Sequence, residues 1–426
     1  MRYLAFEGGG GKGVSYIGAL EALEELGILT YFEKHIEGKS VTRLNPEKIK
    51  GVSGTSVGSV VALLLACGFK AEEMEELLLD KVGKTILDTV RFGEMPTIFS
   101  NEYQDIVVKD PRFDNAEKFM KASWSNFLKS DDKKISDFLN IPANQFQRGG
   151  IQFLSLLMKG FLNHESRQSV KKKIPESETR RVIWELAQSD TINPALKKIL
   201  DEPVHAFNCL KYEYGLFLGS KARELFDSWI EQKSGIKNCT FANFVEEFNI
   251  DLVITAVSTN SKEVLYFRNN EKWKNLCVAD AVRMSIGIPF VFKPVLLKRT
   301  ENGIASVIND FKHVDFMTDG GSINNLPIHV FDEEDSLTLN PSILGFSLVD
   351  FAFTEKIEVD SFSEYFLCMS RILVKNATNL QIYHKHDYDQ IIKLDTKDVS
   401  VFDFSFDELP VDMKNESREK TLQYFS

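Results

Sequence analysis

Three short stretches carry residue types at spacings that suit acyl-transfer chemistry. Gly54-Thr55-Ser56-Val57-Gly58 is a G-x-S-x-G pentapeptide between a β-like run, Ile49 to Ser53, and the apolar helical pattern Val60 to Ala66. That spacing suits a serine on a tight strand-to-helix turn. The glycines let the backbone approach itself without a Cβ clash, and the turn lifts the hydroxyl above the sheet edge. The N–H groups opening the next helix favour negative charge that develops beside the serine. Far upstream, Glu7-Gly8-Gly9-Gly10-Gly11-Lys12-Gly13 joins the strand-like Arg2 to Phe6 to a helical pattern running from Val14 to Leu26, with Gly27 as its C-cap. Far downstream, Asp319-Gly320-Gly321 sets a carboxylate on a turn at the end of a short strand, Asp315 to Thr318.

Three readings compete for the glycine loop. A P-loop fails, because Phe6 stands where its first glycine belongs and Gly13 follows Lys12 where Ser or Thr is needed. A dinucleotide fingerprint matches literally at Gly8, Gly10 and Gly13, but four consecutive glycines make the match cheap. The acidic residue expected about twenty positions on, Glu33, ends no convincing strand. The third reading is an oxyanion hole, with main-chain N–H groups aimed at the oxygen that charges in acyl transfer.

The 426-residue chain is long enough for one elaborated α/β domain to carry these residues. A net charge of -11 argues against general nucleic-acid binding and gives no global attraction to anionic membranes. Cys67, Cys209, Cys239, Cys277 and Cys368 are scattered without a C-x-x-C pair, which points to buried thiols in a reducing compartment and away from a zinc site. No signal-peptide pattern or membrane-spanning run is present, so the expected location is cytoplasmic with transient peripheral membrane association; export as an effector without a cleavable signal stays open. Residues 30 to 48 read as a surface loop. Ile250 to Ser258 reads as an apolar strand paired with Val264 to Arg268, Leu216 to Gln232 and Val278 to Ile286 as helices, and Thr240-Phe241 as a helix start. Leu344 to Asp350 reads as a strand, Gln390 to Leu394 and Val399 to Phe404 as edge strands, and Glu416 to Phe425 as a closing helix. Between Ala71 and Leu210 the pattern is largely helical. Its apolar run from Gly149 to Leu162, followed by Arg167, Lys171, Lys172, Lys173, Arg180 and Arg181, reads either as a lipid-facing lid or as a core helix before a solvated loop.

The ordered set of glycine loop, serine pentapeptide and Asp-Gly-Gly resembles the patatin-like phospholipase family. Gly8 to Gly13, with Lys12 as its basic residue, is similar to that family's oxyanion loop; Gly54, Ser56 and Gly58 to its nucleophile motif; Asp319, Gly320 and Gly321 to its catalytic aspartate motif. Ser285 to Phe292 is similar to the Ser-x-x-x-Pro segment that packs beneath the site. The resemblance implies an α/β, patatin-like three-layer fold: a mostly parallel sheet, helices on both faces and a long helical insertion. One domain would span residues 1–426, with a motif-bearing core at 1–70 and 211–332, an insertion or lid at 71–210, and C-terminal strands and helix at 333–426. It further implies a Ser56–Asp319 dyad cleaving acyl esters of glycerophospholipids, with the N–H groups of Gly9, Gly10, Gly11 and Val57 as the oxyanion hole. No cofactor or metal is called for. The partners implied are a phospholipid surface and an activating protein or small molecule; no nucleic acid is among them. Glu7 stands where the family often has Asp, and no catalytic consequence is expected, since the loop acts through its backbone. Outside this resemblance, a Ser-Asp-His triad could draw on Ser56, Asp319 and either His329 or His384.

Overall fold

In the computed structural model, residues 1–36, 38–77, 94–95, 97–99, 102–103, 106–107, 209, 213–298, 314–333, 338–349, 385–396 and 411–426 are described. Their framework is a ten-stranded sheet. Its parallel part runs, from one edge inward, β8 (Ile391–Asp395), β7 (Ile343–Val349), β1 (Tyr3–Phe6), β2 (Gly51–Thr55) and β3 (Asp251–Ser258). Beyond β3 the order continues through β6 (Val314–Asp319) and β5 (Val295–Lys298), antiparallel to each other, to the short strands Thr97–Phe99 and Glu102–Tyr103. β4 (Glu263–Phe267) pairs antiparallel with β3 as well.

Side chains alternate faces along each strand, and the alternation sorts the core. Leu4 and Phe6 of β1, Leu252, Ile254 and Ala256 of β3, Leu344 and Phe346 of β7, and Ile392 and Leu394 of β8 join one cluster. That face is covered by α1 (Tyr16–Glu25), α2 (Val57–Ala66), α4 (Ser220–Ser234), α5 (Phe241–Phe248), α6 (Val278–Ser285) and α7 (Val411–Tyr424), with α3 (Ala71–Leu77) packed on α1. Ala5, Val253, Ile343 and Ile391 face the other way, onto Leu326, Ile328, Phe331 and Leu339. The parallel strands are therefore apolar on both faces, which is why they read as continuous hydrophobic runs. α2 is buried along its whole length from Gly58 to Ala66, as an apolar-all-round helix must be.

The sheet and the helices on it give the expected α/β class, but several elements differ from the sequence reading. The stretch expected to be a loop at 30–48 is an antiparallel hairpin, Tyr31–Ile36 with Lys39–Leu44, turned at Gly38. Its polar surface disguised it, for it carries its buried anchor in Arg43. That guanidinium bonds the Glu247 carboxylate and Lys233 O and lies 4.6 Å from the Phe248 ring centre. Leu216 and Phe217 are not helical: Gly215–Phe217 is a strand paired with Phe290–Phe292, and α4 starts only at Ser220. Inside the region read as largely helical, 94–107 contributes short strands, of which Thr97–Phe99 extends the main sheet. The closing helix begins at Val411, five residues earlier than expected. The apolar run 149–162, the basic run after it and the edge strand expected at 399–404 lie outside the described residues. Cys67, Cys239 and Cys277 are buried, and burial pushes the thiols of Cys239 and Cys277 up to about 12.

Candidate active site

The register along β3 settles how two distant segments meet. β2 pairs with Asp251 to Thr255 of β3 in parallel, and β6 pairs antiparallel with Ala256 to Ser258. β4 occupies the opposite edge of β3 over Ile254 to Ser258. β2 and β6 therefore share one edge and run towards each other. Thr55 stands beside Thr255, and Asp319 stands beside Ala256, one position on. The residue after β2 is Ser56 and the last residue of β6 is Asp319, so the two strand ends deliver a hydroxyl and a carboxylate to one spot. Both are buried, and the Ser56 hydroxyl lies close enough to the Asp319 carboxylate to pull its pKa down.

Ser56 has φ 53° and ψ −128°, a region in which a non-glycine residue is strained by roughly 1–3 kcal/mol. Two other serines hold it there. Its N–H donates to Ser285 Oγ at 2.9 Å, and Ser285 Oγ–H donates onward to Thr255 O at 2.6 Å. Its carbonyl accepts from Ser59 N–H at 2.9 Å and from Ser59 Oγ–H at 2.5 Å. The turn is tight enough that a methyl group at Gly54 would overlap the Gly58 carbonyl. Ser59 escaped the sequence reading; its signal was a lone hydroxyl in the otherwise apolar Val57–Ala66. Ser285 was placed beneath the site, and its hydroxyl turns out to tie the serine turn to β3.

Asp319 Oδ1 accepts from Gly321 N–H at 2.7 Å, and Asp319 N–H donates to Gly287 O at 2.9 Å. Burial raises its pKa from 3.8 to about 6, with the Ser56 hydroxyl and the Gly321 N–H pulling part of the way back. A carboxylate so placed is a better base than a solvated one while still ionised at neutral pH. Close to this turn, Arg283 Nη2 donates to Leu218 O at 2.6 Å and Lys293 O at 3.0 Å. Burial lowers the Arg283 pKa to about 9.

The glycine loop lies against the serine turn. A methyl group at Gly8 would sit 2.5 Å from Asn325 Oδ1 and 2.9 Å from Ser56 Cβ, so no larger residue fits. From Gly10 to Ser15 the loop winds into a 3-10 helix, where the sequence suggested an open loop before an α-helix. Gly10 enters it with φ 56°, a left-handed conformation that favours glycine. Gly8 N–H is committed to Asn325 O and Lys12 N–H to Gly9 O, so the N–H groups of Gly9, Gly10 and Gly11 fall between these two bonds, at the free end of the turn. The Ser56 N–H is engaged by Ser285, which leaves Val57 at the α2 N-terminus as the serine-side N–H. A methyl group at Gly13 would overlap the Val57 side chain, so loop and helix start interlock. Gly320 abuts Thr255 O on β3.

Beyond the turn, the chain crosses the second sheet face. Thr55 Oγ–H donates to Asn324 O and Ser53 Oγ–H to Pro327 O, both at 3.0 Å. Asn325 was also missed; the signal available was a polar pair, Asn324-Asn325, between the Asp-Gly-Gly turn and Leu326-Pro327. His329 Nδ1 lies 2.6 Å from Asp332 Oδ2, three residues on in the same segment, and His384 lies outside the described residues.

A family model described as patatin-like phospholipase matches residues 4–332, a span containing all three glycine-bearing motifs. Among curated proteins, the uncharacterised protein R571 of Acanthamoeba polyphaga mimivirus is 24% identical over 211 residues, covering 49% of this chain and 64% of its own length. The uncharacterised YqhO of Bacillus subtilis (strain 168) is 32% identical over 91 residues, 21% of this chain and 24% of YqhO. Among solved structures, VipD from Legionella pneumophila aligns with a TM-score of 0.39 at 16% identity, covering 99% of this chain and 66% of VipD. ExoU, in its heterodimeric complex with SpcU from the type III secretion system of Pseudomonas aeruginosa, aligns with a TM-score of 0.34 at 14% identity, covering 100% of this chain and 51% of that one. The chain spans less than two thirds of the length of each of these relatives.

Proposed function

Because the chain belongs to the patatin-like phospholipase family, we propose that it hydrolyses fatty-acyl esters of glycerophospholipids, as a phospholipase A or lysophospholipase, through Ser56 and Asp319. Family membership supports lipid acyl hydrolysis in general. The observation that carries the finer reading is the arrival of Ser56 and Asp319 at facing strand ends, where Asp319 is buried and its pKa is raised to about 6.

Ser56 Oγ attacks the acyl carbonyl carbon while Asp319 takes the hydroxyl proton. The carbonyl oxygen becomes an oxyanion facing the N–H groups of Gly9, Gly10, Gly11 and Val57, each well-aimed donor contributing roughly 3–4 kcal/mol. Collapse expels the glyceryl alkoxide, which leaves with the proton held by Asp319, and Ser56 carries the acyl group. Water then attacks this ester, Asp319 takes its proton, and the second collapse returns that proton to Ser56 and releases the fatty acid. Lys12 holds the loop or meets a lipid phosphate. The work is done at a membrane surface by peripheral association, with a protein or small-molecule activator as the expected regulator.

The test is lipid mass spectrometry of mixed phospholipid liposomes treated with wild type, Ser56→Ala or Asp319→Asn, each with and without cell extract. Wild type is expected to release fatty acid and lysophospholipid, and to label at Ser56 with a fluorophosphonate. Both variants are expected to be folded and silent; full activity in either one overturns the assignment.

A further inference from the structure

Glu7 immediately precedes the glycine loop, and nothing in its sequence position gives its side chain a task. In the fold its carboxylate is buried, 5% exposed, and takes donors from two directions. Oε1 accepts from Asn325 Nδ2 at 2.9 Å; Oε2 accepts from Ser347 Oγ–H at 2.5 Å and Leu348 N–H at 2.6 Å. Of these, Asn325 and Leu348 touch the loop. Asn325 O accepts from Gly8 N–H at 3.0 Å, and Asn325 Nδ2 also reaches Gly8 O at 3.2 Å. The Leu348 side chain lies over Gly9, where a methyl group would come 2.6 Å from Cδ1. Asn325 Oδ1 also packs against Gly321, whose N–H holds Asp319.

The structure assigns Glu7 as a positioning residue for the oxyanion loop: one carboxylate fixes Asn325 on one side of Gly8-Gly9 and Leu348 on the other, and so sets the aim of the loop N–H groups relative to Ser56. This rests on the hydrolase reading above and extends it to a side chain that does not touch substrate. The chemistry requires two acceptor oxygens. A glutamine at this position has one oxygen and one NH₂. Whichever way it turns, its N–H groups meet either Asn325 Nδ2 or the Leu348 N–H, and donor against donor spreads the clamp. Oxyanion donors act at short range, so a small displacement of the loop weakens them.

The experiment compares full-length wild type, Glu7→Gln, Glu7→Asp and Ser347→Ala on a short-chain p-nitrophenyl ester. It also measures inhibition by an alkyl trifluoromethyl ketone, which Ser56 converts to a hemiketal oxyanion, and by the matching secondary alcohol, which cannot form one. Glu7→Gln is expected to lower kcat about 10–100-fold and to weaken the ketone by the same factor, with KM and alcohol binding within about twofold. Its pH midpoint should stay where Asp319 sets it. Glu7→Asp, which keeps two oxygens, should recover most of the loss, and Ser347→Ala should fall between wild type and Glu7→Gln. Wild-type kcat in folded Glu7→Gln overturns the assignment, as does a loss shared equally by alcohol binding. If Glu7→Gln does not fold, Ser347→Ala decides, and unchanged kcat and ketone affinity there overturn it. A wild type with neither Ser56-dependent turnover nor ketone inhibition overturns the hydrolase reading first, and this one with it.

Discussion

The sheet on the two sides of β3 is built on different logic. On the parallel side, β1 and β2 each end in a glycine turn that opens into a helix, so the loop and the serine sit at neighbouring C-terminal strand ends. On the antiparallel side, β6 comes from the opposite direction and stops where β2 stops. In the proposed reaction the first side supplies the nucleophile and the N–H donors, and the second supplies the base. Neither could make the site alone: parallel strands put their ends in a row, and it takes an antiparallel strand to bring an end face to face with one of them.

Breaking one side at a time sharpens that contrast. The largest effect is expected from Asp319→Asn, which should cost about 10²–10⁴-fold in kcat, read by ester turnover. The same change should raise thermal stability at neutral pH. The folded-state pKa of Asp319, about 6, lies above the ordinary 3.8, so the folded protein holds that proton more tightly than the unfolded chain does. Its stabilising contribution is fully present below about pH 4 and is lost as pH rises through about 6, which leaves a cost of roughly 2–4 kcal/mol above it. A melting-temperature gain at pH 7.5 that vanishes near pH 4 is the expected signature. No gain at pH 7.5 would mean the carboxylate is compensated there.

Damage to the parallel side should look different. Gly8→Ala forces a methyl group against Asn325 and Ser56 and should cost about 10²–10³-fold in kcat. Its pH–rate profile should keep the wild-type ascending limb. That limb, in kcat/KM of wild type, should have its midpoint near pH 6 and fall tenfold per unit below it, because only ionised Asp319 accepts the proton. A Gly8→Ala profile with a displaced midpoint would show the two sides to be coupled. The smallest effect is expected at the seam. Thr55→Val removes the bond from the end of β2 to Asn324 O and should cost about 1–2 kcal/mol in denaturant unfolding, with less than about tenfold in kcat.

The two sides were also unequally legible. The parallel side could be read because its strands are apolar on both faces and its turns are marked by glycine: Tyr3–Phe6, Gly51–Thr55 and Asp251–Ser258 stand where the residues suggested. β5 could not. Val295–Lys298 is a short run just after Lys293-Pro294, with a lysine buried against Glu213 where the pattern calls for surface. The hairpin at 31–44 was hidden for a related reason, since one of its two buried residues, Arg43 beside Leu44, is an arginine. At the site, the three motifs were visible one by one, but their convergence depends on the registers of β2 and β6 along β3, which no local pattern encodes. Asn325, Ser59 and Glu7 act through bonds to residues remote in the chain or to the main chain, and polar residues of that kind carry no periodicity.

β3 works as a ruler. The spacing of hydroxyl and carboxylate is written in two adjacent positions of a strand that contains neither group, Thr255 and Ala256. The measure depends on the register along β3 and not on the length of chain between Ser56 and Asp319. Such a scaffold lets new surface accumulate around an unchanged pair of reacting atoms, and a slip of β6 by a single residue would do more harm than the insertion of a hundred.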